Sequence, residues 1–165
     1  MSDSPLSDEE RTLRRRLAAR ANNRAWTLTE QTSRTPEEDR EMLDTAHAAM
    51  YLWTAIGTPR NLAGAQLLLG QVHALLGNAR FALPYAQAAY DYHTANAAEP
   101  FQLAISHAIL AAAAHCAGDF ALHEKHYAAA TTLAAALQNE ADKKIFAATL
   151  DVIPKPKGLG SPQRA

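Results

Sequence analysis

Between Asn61 and Thr94 the chain reads NLAGAQLLLGQVHALLGNARFALPYAQAAYDYHT, and this stretch constrains the fold more than any other. Leu62, Leu67, Leu68, Leu69, Val72, Leu75 and Leu76 recur at three- and four-residue steps. That spacing makes an apolar band too wide for a lone surface helix. Gly77 then offers a left-handed stop, with Asn78 beside it. A second helix restarts with Phe81, Ala82, Tyr85, Ala86, Ala89 and Tyr90. Alanines at helical spacing let two backbones approach closely, while the aromatics fill the outer gaps. Pro84 is expected within about the first turn of this helix, where a missing N–H costs little. The stretch is a tight antiparallel helical hairpin.

The flanking sequence supplies more of the same. Ser7-Asp8-Glu9-Glu10 reads as a capping box opening a helix that runs to about Gln31. Its expected buried side is Leu13, Leu17, Ala21, Trp26 and Leu28, and the Arg14–Arg16 cluster is read as a solvated face. After a loop, Thr35-Pro36-Glu37-Glu38 starts a helix with Met42, Leu43, Ala46, Ala49, Met50, Trp53 and Ile56 that ends at Gly57. Thr58-Pro59 caps the first helix of the central hairpin. Pro100 opens the next helix, which stops at Gly118. Asp119 caps its successor, with Phe120, Tyr127, Ala130, Leu133 and Leu137 expected inward. Position 118 less position 77 gives a period of 41 residues. Glu140 to Asp151 reads as a short capping helix, with Ile145, Phe146 and Leu150 underneath. The expected organisation is a disordered 1–6, a single helical domain over 7–151 and a disordered Pro/Gly-rich tail over 152–165.

Gln66-x2-Leu69-Gly70-x2-His73, then Gly77, Ala82-x3-Ala86 and Ala89, resembles the tetratricopeptide repeat. Leu69, Gly70, Gly77, Ala82 and Ala89 fit that pattern; Gln66, His73, Ala86 and Thr94 replace its tryptophan, tyrosine, phenylalanine and proline. The following hairpin keeps Leu110, Gly118, Tyr127 and Ala130 but carries His123 at the hallmark alanine. The chain is also similar, over most of its length, to a group of bacterial helical-repeat proteins of unassigned function. The resemblance implies an all-α fold: about three antiparallel helical hairpins stacked as a short tetratricopeptide-like solenoid, plus the C-terminal capping helix. It also implies that the first helix of each hairpin lines a concave face. It implies no activity.

Composition narrows the function classes. With 165 residues, 48% hydrophobic and 20% charged, one domain with a sizeable core is expected. A net charge of −1 gives no bulk attraction to nucleic acid or membrane. The lone Cys116, the acidic start and the lack of a long apolar run point to a cytoplasmic protein.

No catalytic constellation, cofactor motif or metal set is read in the chain. His123-Glu124-Lys125-His126 lacks the His-Glu-x-x-His spacing, and no Glu-x-x-His pair occurs. Cys116 has no neighbour that would activate it. His107 and His115, eight residues apart on one side of a helix, are the leading partner-binding candidates. The repeat resemblance adds Leu67 and Gln71 on the equivalent face and Asn22 and Trp26 on the first helix. The expectation is a non-enzymatic module that binds a protein or peptide partner through its concave face. A small-molecule or metal pocket built from His107, His115 and His126 is the alternative, and self-association as a homodimer the third.

Overall fold

The computed structural model describes residues 6–157, so of the segments expected to be disordered, 1–6 and 152–165, the parts 1–5 and 158–165 lie outside the described residues. Seven helices follow in order: α1 (Asp8–Thr29), α2 (Pro36–Ile56), α3 (Pro59–Leu75), α4 (Ala79–Ala95), α5 (Pro100–Cys116), α6 (Phe120–Ala135) and α7 (Glu140–Asp151). No strand occurs among the described residues. No helix there is long and apolar enough to cross a membrane.

The helix starts follow the local chemistry. Ser7, Thr35 and Thr58 each accept a hydrogen bond from the N3 backbone, and Glu10, Glu38 and Asn61 reach back to the N-cap N–H groups. Asp119 and Asn139 cap α6 and α7 in the same way with their side chains. Gly77 and Gly118 both take positive φ, 71° and 77°. Asn78 N–H donates to the His73 carbonyl and Asp119 N–H to that of Ala114, so the two stops are the same left-handed cap. The turn after α4 uses the same bond, Ala98 N–H to His93 O, but puts Ala97 at φ 46°, where an L side chain is strained.

The hairpins pair α1 with α2, α3 with α4, and α5 with α6. Further packing of α1 on α3 and of α3 on α5 makes an inner layer, backed by α2, α4 and α6. The tightest point is Gly70. A Cβ there would lie 2.9 Å from the Ala86 N and 3.1 Å from its Cα, so the α3 and α4 backbones touch. Helix α7 packs on α5, and Phe146 and Ile153 join the core that includes Ile105, Ile109 and Tyr127.

Four local expectations are corrected. Helix α1 buries Ala18, Ala25, Leu28 and Thr29, while Leu13 and Leu17 are 47% and 43% exposed. Close approach selects the small Ala18–Ala25 stripe, and Leu17, about 100° round the helix from Ala18, is turned aside. Phe120 and Ile145 are likewise exposed rather than inward. Pro84 sits in the second turn of α4, since that helix begins at Ala79, and it leaves the Arg80 carbonyl without its N–H partner. The packed chain also runs past Asp151, because Ile153 and Pro156 are buried.

Candidate functional site

A cavity of about 530 Å3 opens between the inner helices, a volume within the range of small-molecule sites. Its walls come from the whole length of the chain. Helix α1 contributes Asn22, Asn23 and Trp26; α2 adds Trp53; α3 adds Arg60, Asn61, Gly64 and Leu67. His93 closes it from α4, Phe101, Gln102 and Ile105 from α5, and Ile145 and Thr149 from α7. Asn23, Arg60 and Ile145 are exposed and form part of the rim with Glu30, while Leu67, His93, Ile105 and Thr149 are buried in its depth. Gly64 presents bare backbone there: a Cβ built on it meets nothing within 4 Å.

Two polar atoms in this depth, His93 Nε2 and Thr149 Oγ1, have no protein hydrogen bond among the described residues. His93 is only 5% exposed, and its Nδ1 lies 2.7 Å from Ser106 Oγ. The Ser106 hydroxyl donates to the Gln102 carbonyl at 2.6 Å. Having one proton, the hydroxyl must accept from His93, so His93 carries its proton on Nδ1 and leaves Nε2 as an acceptor. No hydrogen bond reaches that Nε2 within the described residues. Burial lowers the His93 pKa, and the nearby Arg60 charge lowers it further, so the ring is neutral at physiological pH. Thr149, 3% exposed, lines the same depth, and its hydroxyl likewise has no partner among the described residues.

The rim donors are oriented by the caps. Asn61 Oδ1 accepts from Thr58 N–H at 3.0 Å, and Gln102 Oε1 accepts from Glu99 N–H at 3.0 Å. Each cap consumes the amide oxygen and leaves the NH2 group unpaired among the described residues. The first turns of α3 and α5 both border the cavity with these amide donors free, and neither turn holds an acidic residue, although Glu99 is the N-cap of α5. The first turns of α1, α2 and α7 all hold acidic residues.

The expected site residues divide. Asn22, Trp26 and Leu67 line the cavity. Gln71, one turn beyond Leu67, is fully buried, with neither amide atom hydrogen-bonded. His107 and His115 share one side of α5, but it is the side facing α6. His107 is two residues, about 200°, from the cavity-lining Ile105. Its Nδ1 lies 3.0 Å from His126 Nδ1, and Tyr90 meets both rings edge-on. His115 packs on His123 and Phe120, its ring centroid 5.0 Å and 5.6 Å from theirs. His93, Arg60, Phe101 and Thr149 escaped the sequence reading. Gly64, a glycine inside a helix that it does not end, was the available signal.

Other reactive groups do not assemble. Burial raises the Cys116 pKa and keeps it a thiol. No three His, Cys, Asp or Glu side chains converge as a metal set among the described residues. No family model, curated protein or solved structure matches the chain.

Proposed function

We propose that this chain is a non-enzymatic, tetratricopeptide-like binding module that holds a compact small molecule in the cavity between α1, α3, α5 and α7. The observation that carries this reading is a 530 Å3 cavity floored by apolar side chains and containing two nearly buried polar groups, His93 Nε2 and Thr149 Oγ1, without partners. A ligand hydrogen bond to either atom would replace one to solvent. The position of α7 favours a compact occupant over an extended peptide. Ile145 and Thr149 stand in the concave face along which a peptide would run.

Catalysis is not supported by the nucleophile–imidazole contact seen among the described residues, Ser106 with His93. Ser106 is fully buried, its proton is committed to the Gln102 carbonyl, and the imidazole is the donor in the pair.

The reading predicts that the neutral fluorophore N-phenyl-1-naphthylamine binds at one equivalent. Gly64→Phe should abolish that binding while helical circular dichroism and the unfolding temperature hold, because the new side chain enters open space. Equal binding by the variant would sink the cavity as the ligand seat.

A further inference from the structure

We infer that the occupant is a small carboxylic acid with an apolar body and one hydroxyl or amide N–H. This rests on the cavity being the ligand seat and specifies what it selects.

The carboxylate end follows from the rim. Arg60 is exposed and makes no ion pair among the described residues, where the salt bridges join Arg24 to Glu41, Arg34 to Asp39 and Lys143 to Glu140. It stands in the first turn of α3, a position where a cation opposes the helix dipole and adds to the positive end. The first turn of α5 faces the same space through Phe101 and Gln102. Asn61 and Gln102 hold their NH2 groups free because their oxygens are tied in caps. A guanidinium with two planar amide donors matches a carboxylate in shape and charge. Glu30 is the one carboxylate on the lining, at the C-cap of α1. The charge that bears on His93 is that of Arg60.

The rest of the ligand follows from the depth. Trp26, Trp53, Leu67, Phe101 and Ile105 supply an apolar, largely aromatic wall for a flat or branched body. His93 Nε2 accepts and cannot donate in the tautomer fixed by Ser106, so the group that meets it must carry a hydrogen.

The test is displacement of bound N-phenyl-1-naphthylamine by 3-phenyllactate and by its neutral amide, 3-phenyllactamide. At neutral pH the acid should displace at a concentration about tenfold below that of the amide, the ratio expected for one charge-assisted contact. Arg60→Gln should bring the two together, each concentration being read against the variant's own fluorophore affinity. Equal potency on the wild-type chain, or no displacement by either compound, overturns the anion assignment and leaves the cavity reading standing. Fluorophore binding that survives Gly64→Phe removes the cavity itself.

Discussion

Gly70→Ala is expected to destabilise the fold by about 1–3 kcal/mol, while Gly64→Ala, six residues earlier in the same helix, stabilises it by about 0.5–1 kcal/mol. Helix propensity alone gives both substitutions the same favourable sign, since glycine in a helix interior costs roughly that amount relative to alanine. Packing reverses one of them. At Gly70 the new methyl would sit 2.9 Å from the Ala86 N and 3.0 Å from its Cβ. The obstacle is backbone, which cannot rotate away, so α3 and α4 must separate along their whole contact. At Gly64 nothing lies within 4 Å of the methyl. Urea denaturation of the two variants beside wild type checks the pair. Midpoints moving in the same direction would mean that α3 and α4 do not meet at Gly70.

Acid should weaken the fold well above the pH at which its carboxylates titrate. His73, His93, His107, His115 and His126 all have pKa values lowered from 6.5, in each case first by burial. His126 falls furthest, to about 4, because burial is reinforced by His107 and then by Lys125. The Nδ1 atoms of His107 and His126 stand 3.0 Å apart, so they share one proton and exclude a second. The sign follows from linkage. The unfolded chain binds these protons near pH 6.5 and the folded chain only at lower pH, so stability is full above 6.5 and declines as pH falls toward 4. The coupled His107–His126 pair contributes to this decline as a unit. The ion-paired Glu41 and the capping Glu10, both with lowered pKa values, act in the same direction but below 4.5. Between pH 6.5 and 4.5 the slope therefore belongs to the histidines. Urea midpoints at pH 7.5 and pH 5 measure it, and His126→Gln should flatten it. A wild-type midpoint unchanged over that interval would contradict the burial of these rings.

What the sequence made legible was the local chemistry of helix ends. Ser7, Thr35, Thr58 and Asp119 cap where their side chains and the following residues require, and Gly77 and Gly118 adopt the left-handed stops that only glycine takes freely. Three cavity residues, Asn22, Trp26 and Leu67, were also within reach, through the resemblance to a repeat whose inner helices line a concave face. Orientation round each helix was not. One residue is 100°, so assigning Leu17 rather than Ala18 to the core, or His107 rather than Ile105 to the cavity, turns a side chain away from its neighbour. In an alanine-rich chain both faces carry apolar residues, and the choice depends on which backbones come closest. His93 and Thr149 lie 56 positions apart (149 less 93) and share a cavity only through packing of α7 on α5. Ala97 at φ 46° shows the limit from the other side, a left-handed stop made without the residue that signals one.

Native mass spectrometry of the protein purified from its own host, run on wild type and Gly64→Phe side by side, tests most directly whether the inner-helix cavity is a ligand seat. The expected spectrum shows wild type carrying one noncovalent small molecule of carboxylic-acid composition and the variant bare. A wild-type chain without any bound molecule, or a variant that retains the same one, would contradict it.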